Sequence, residues 1–171
     1  GGGSANAMSR IFYPDWYTEH WGLKAGRWNA QVKSALTGRP GLLKLQELHR
    51  ALLILPQQRL LEGVLCRDGE VCALGALGRS YGIPLAEMAQ VGTPSEYAGH
   101  IVYDDEEAVT RWAVEHLGVT STLALVLQEV NDEFCRNATP EERYVKVLAW
   151  VERWWRSPIE AFDAYRAGGV P

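Results

Sequence analysis

The sequence predicts a mainly α fold: a compact helical domain of six to seven helices with one small β-hairpin, α+β at most. Three observations carry this. Apolar residues recur at spacings of three and four through much of the chain from Leu42 onward. Thr139-Pro140-Glu141-Glu142 combines a capping threonine, a first-turn proline and an acidic first turn, and Ser157-Pro158-Ile159-Glu160 repeats the device. Asp68-Gly69 stands between two apolar runs, a strong short-range hairpin signal. With 47% hydrophobic and 22% charged residues, the 171-residue chain has globular proportions and can bury a full core without metal or disulfide.

Taken in order, Gly1 to Ala7 (GGGSANA) reads as an expression scar, with Met8 as the natural start. Residues 8–41 form an aromatic amino-terminal arm, 42–167 the helical core domain and 168–171 a frayed tail. Within the arm, Trp16, Tyr17 and Trp21 share a short helical face, opened by Asp15 after Pro14. Trp28 to Leu36 and Leu42 to Leu55 read as two helices, broken by Thr37-Gly38-Arg39-Pro40-Gly41 and ended by Pro56. Val64-Leu65-Cys66 and Glu70-Val71-Cys72 then pair across Asp68-Gly69. A short helix from Ala73 follows, closed by Gly82 before Ile83-Pro84. Residues 84–103 read mostly as linker, with one short strand at Gly99 to Tyr103.

Asp104, with Glu107 in the capping-box position, starts a helix whose inward stripe is Val109, Trp112, Ala113 and Leu117; Gly118 stops it. Ser121 or Thr122 begins the next, with Leu123, Val126 or Leu127, Val130 and Phe134 inward. Tyr144, Val147, Leu148, Val151, Trp154 and Trp155 form the buried face of the helix from Pro140. Trp150 falls off that stripe. Adjacent Trp154 and Trp155 diverge by about 100 degrees, so at least one ring of Trp150, Trp154 and Trp155 is expected to remain substantially exposed.

Charge and composition exclude several functions. A net charge of −4 offers phosphate no general attraction, so no nucleic-acid partner is expected. No apolar run approaches the about 18 residues that span a membrane. Three cysteines without a leader after Met8 predict reduced thiols and a cytoplasmic protein, which leaves the Asn137-Ala138-Thr139 sequon without meaning. The phosphate-loop, nucleophile-elbow and His-Glu-x-x-His patterns are all missing. Cys66 and Cys72 are spaced unlike a zinc knuckle, and a site would also need Cys135 and a histidine, so no metal and no cofactor are expected. The acidic run Asp104 to Glu107 suits a helix start without a cation.

Two readings of function remain. In the first the chain is a protein-binding module without catalysis. It contacts an unidentified protein partner, or a second copy in a homodimer, through Trp16, Tyr17, Trp21, Trp150, Trp154 and Trp155, because tryptophan and tyrosine dominate interface hot spots. The alternative is a cysteine-dependent hydrolase. Cys72 falls where strand passes into helix, a place that lowers a thiol pKa, and His100 would be its general base. The Cys-then-His order loosely resembles papain-like peptidases, but the interval is short and the strands needed after His100 read as helix.

The run from Gly63 to Leu77, GVLCRDGEVCALGAL, resembles a motif of short uncharacterised bacterial and phage proteins. In those an Asp-Gly turn precedes Cys-x-Leu-Gly and a helix, and an Asn-Asp pair comes late in a later helix, as Asn131-Asp132 does here. The likeness covers roughly residues 50–155. That family has no established activity. What the resemblance implies is a bacterial or phage origin and one small buried polar network of Cys72, Gly75, Asn131 and Asp132.

Overall fold

The computed structural model describes residues 27–92, 95–97, 100–102 and 105–167. Trp16, Tyr17, Trp21 and Asp104, together with the expected scar and tail, lie outside them. The fold is mainly α, as the sequence predicts. Eight helices occur among the described residues, counting one of a single turn. They are α1 (27–37), α2 (Arg39–Leu53), α3 (Ala73–Ser80), α4 (Leu85–Met88), α5 (Asp105–Leu117), α6 (Ser121–Asp132), α7 (Pro140–Arg156) and α8 (Pro158–Arg166). Two short antiparallel hairpins interrupt them: β1 (Cys66–Arg67) with β2 (Glu70–Val71), and β3 (Ser95–Tyr97) with β4 (His100–Val102).

The expected break after α1 shrinks to Gly38 alone, because Pro40 occupies the first turn of α2, where a missing N–H is harmless. Val32 and Leu36, which lie within the expected arm, are wholly buried and join the core. The first hairpin pairs Cys66 with Val71 and Arg67 with Glu70. Asp68 and Gly69 both take positive φ, 53° and 80°, the mirror-image turn that matches strand twist. The second hairpin occupies part of the stretch read as linker, where one strand was expected; it pairs Glu96 with Ile101 and Tyr97 with His100. Met88, in the same stretch, closes the one-turn α4 and is fully buried.

α3 lies at the centre, packed by α2, α4, α5, α6 and β2. All of Ala73 to Gly78 is buried. Its glycines permit this. A Cβ on Gly75 would stand 2.1 Å from the Leu65 carbonyl oxygen, and one on Gly78 would stand 2.9 Å from the Trp112 ring. Its C-terminus closes with Ile83 N donating to Gly78 O and Gly82 N to Arg79 O, the paired bonds of a Schellman motif.

α7 packs on α2 and on α8. It begins with a complete capping box: Glu142 N donates to Thr139 Oγ1, and Thr139 N donates to Glu142 Oε2. Ser157, expected to repeat the device for α8, makes no side-chain cap bond. Among the described residues no helix is long and apolar enough to cross a membrane.

Candidate functional site

Four of the residues singled out by the sequence, Cys72, Gly75, Asn131 and Asp132, meet at one junction, where the segment 60–63, the start of α3 and the end of α6 come together. Leu61 N donates to Val71 O and Cys72 N to Leu65 O, which lays the segment against the first hairpin. Cys72 is the N-cap of α3; its Sγ accepts from Gly75 N at 3.4 Å. Asn131 Oδ1 accepts from Ala73 N at 3.1 Å, so a second orphan donor of that helix start is satisfied from α6. The same amide donates from Nδ2 to Leu61 O at 2.8 Å and to Asp132 Oδ1 at 2.7 Å. Asp132 Oδ1 also accepts from Gly63 N at 3.0 Å. The structure thus brings Cys72, Gly75, Asn131 and Asp132 together around backbone groups.

A residue the sequence reading passed over completes the junction. Arg143, 3% exposed, reaches from the first turn of α7 to the end of α6. Its Nε donates to Asn131 O at 2.9 Å and its Nη1 to Leu60 O at 3.2 Å. Nη2 lies 3.3 Å from Glu62 Oε2 and 3.4 Å from both Cys135 O and Ala138 O. A cation near a helix N-terminus opposes that helix's dipole, yet here it meets the carbonyl-rich end of α6, where positive charge is favoured. One signal did exist: Arg143 stands four residues before Val147, on the inward face of an otherwise apolar stripe.

Electrostatics at the junction argue against a nucleophile. Burial pushes the Cys72 thiol up to about 12, opposite to the depression expected from its place at a helix start. Burial also raises the Cys66 and Cys135 thiols, and all three cysteines are free and buried. Asp132 is raised by burial, with the bonds from Asn131 and Gly63 N opposing. A cavity of about 20 Å³ beside Cys72, Gln128 and Asn131 has room for about one water molecule. Outside it, Trp28, Glu106, Gln128, Asp132 and Glu133 border an open hollow of about 430 Å³. His100, the expected base, stands in β4 opposite Tyr97. Among the described residues no group of three His, Cys, Asp or Glu side chains is placed to hold a metal ion.

The tryptophans depart from expectation. Trp150 and Trp154 are buried, at 4% and 0% exposure, with ring centroids 5.6 Å apart. Trp155 is half-buried between the His49 ring, at 5.7 Å, and the Arg156 guanidinium, at 5.5 Å. None of the three is an open ring. α7 is covered by both α2 and α8, which widens its buried face to take in Trp150 and leaves Leu148 at the edge. The exposed surface expected of Trp150, Trp154 and Trp155 is therefore absent. Trp28 is half-buried, its indole N–H donating to Tyr165 Oη at 3.2 Å.

The large apolar side chain that α7 does expose, Val145, follows the residue that bonds the end of α2. Tyr144 Oη donates to Leu52 O at 2.9 Å. Leu53, Ile54 and Val145, each within two residues of that bond, are 55%, 69% and 64% exposed. Compared with protein-family models, with curated proteins and with solved structures, the chain matches none.

Proposed function

We propose that the chain is a protein-binding module that acts without catalysis, presenting its helices to another protein or to a second copy of itself. One observation carries the reading: the division between inner polar groups and outer apolar ones. Cys72, Asn131, Asp132 and Arg143 are all engaged with backbone groups. Leu53, Ile54 and Val145 meanwhile face solvent around the Tyr144–Leu52 contact, where burial against a partner would gain about 25 cal/mol per Å² of apolar surface. The aliphatic edge takes the place of Trp150, Trp154 and Trp155 in this reading. The resemblance to short bacterial and phage proteins agrees with it in context and adds no chemistry.

The test is capture of partners from bacterial lysate by the full chain, compared with Leu53→Asp, Val145→Asp and Cys72→Ala. The reading expects a stoichiometric partner that survives Cys72→Ala and is lost with either aspartate. Sedimentation of the same variants separates a second copy from a different protein. Rapid labelling of native Cys72 by a thiol reagent near neutral pH, abolished by His100→Ala, would overturn it in favour of the hydrolase.

A further inference from the structure

α5 and α6 lie side by side, and a shallow groove of about 420 Å³ runs over their outer faces. Val114, 40% exposed, and half-buried Leu125 supply its apolar floor. Gln128 Nε2 donates to Thr110 Oγ1 at 2.8 Å and ties the two walls together, so the groove is formed before anything enters it. Its rim carries three carboxylates, Glu106, Glu107 and Glu115, and one cation, Arg111. The neighbouring hollow shares Glu106 and Leu125 and adds Asp132 and Glu133, the latter paired with Arg136 at 2.7 Å. Together α5 and α6 carry six carboxylates against one cation, Arg111, which pairs with Glu107 at 3.4 Å. α7, by contrast, carries four cations against three carboxylates.

We propose that this groove docks a basic amphipathic helix of a partner protein. The inference rests on the protein-binding reading and names the chemistry of one partner. An apolar floor between two helices suits the apolar face of a third, read at spacings of three and four. The carboxylate rim selects lysine or arginine beside that face and repels acidic segments. A second copy presenting the same groove would set like charges opposite one another, which disfavours two-fold pairing here. A wall of 13 residues is about 20 Å long and matches three to four turns of an incoming helix.

The probe is a fluorescein-labelled leucine–lysine peptide of about 15 residues patterned as one amphipathic helix. Its controls are a scrambled peptide of equal charge and a version with glutamate for lysine. Fluorescence anisotropy with the full chain should show binding of the patterned basic peptide only, weakening as salt rises. Glu106→Lys with Glu115→Lys, or Val114→Asp alone, should weaken it about tenfold or more, and Leu53→Asp should leave it unchanged. Equal binding of the scrambled peptide, or full binding to the groove variants with circular dichroism intact, overturns the proposal. So does a dimer dissolved by Val114→Asp, which makes a second copy the occupant. Hydrogen-exchange protection of residues 8–26 that Val114→Asp abolishes makes the chain's own arm the occupant, with the same consequence. If the groove fails while Leu53→Asp still abolishes partner capture, the general reading stands. If neither surface matters, both fall.

Discussion

At the amino-terminal end of α7, Arg143 is buried and donates to four backbone carbonyls and one carboxylate. Near the other end, His49 Nε2 meets Glu152 Oε1 at 2.9 Å beside a half-buried Trp155. Both contacts tie the helix to its neighbours, but they differ in kind. The first joins a permanent charge to main-chain carbonyls, of which Cys135 O also accepts from Ala138 N. The second joins two titratable side chains at the rim of the core, with part of the carboxylate in water. A buried cation with fixed backbone partners defines where α6, α7 and the 60–63 segment must sit. A rim pair adjusts the fit of helices already positioned by packing.

The contrast is tested most severely at Arg143. Arg143→Met removes the side-chain donor from the carbonyls of Leu60, Asn131 and Ala138, while Cys135 O keeps its bond from Ala138 N, and should cost about 3–5 kcal/mol in urea unfolding. A cost below that of an ordinary surface change would remove the distinction between the two ends. Asn131→Leu should come next, at about 2–4 kcal/mol, since it orphans Ala73 N–H and Leu61 O in a buried site. Cys72→Ser should cost about 1–3 kcal/mol for a hydroxyl imperfectly paired. A thiol reagent should label native Cys72 far more slowly than unfolded chain.

The finest test uses pH, because the two ends should respond with opposite sign. The Glu152 carboxyl is held below its ordinary range by the bond from His49, while its slight desolvation opposes. Its stabilisation is present above the unfolded pKa and is lost as pH falls through the folded one. Asp132, raised by burial, holds its proton to higher pH when folded; its contribution is present below the unfolded pKa and lost as pH rises through the folded one. In Glu152→Gln, acidification through the carboxylate range should therefore cost less stability than in the parent. In Asp132→Asn it should cost more. The same sign in both variants would mean that these two carboxyls do not govern the acid limb.

Where local chemistry decides structure, the sequence was readable. Asp68-Gly69 names its own turn, Thr139-Pro140-Glu141-Glu142 its own helix start, and both form as read. Asn131-Asp132 was legible as a polar pair late in a helix, though its partners at residues 61, 63 and 73 were not. Arg143 stayed hidden because everything it binds is backbone from other segments, and a carbonyl leaves no mark in the sequence. Trp150 was misplaced because periodicity fixes one face of a helix, whereas the number of neighbours sets how wide that face is. The aromatic arm with Trp16, Tyr17 and Trp21 adds nothing to this comparison, since it lies outside the described residues.

The junction also bears on the order of assembly. Its bonds join residues far apart in the chain: Asn131 to Leu61 spans 70 positions, and Arg143 to Leu60 spans 83. The first hairpin, α3 and the α5–α6 pair need no such distant meeting, so they can take shape while the ends of this loop still diffuse. Loop closure sets the entropic barrier to long-range contacts, and contacts made after that barrier hold the native state without hastening its arrival. Arg143 is therefore expected to act as a latch: its loss should accelerate unfolding and leave the rate of folding nearly unchanged.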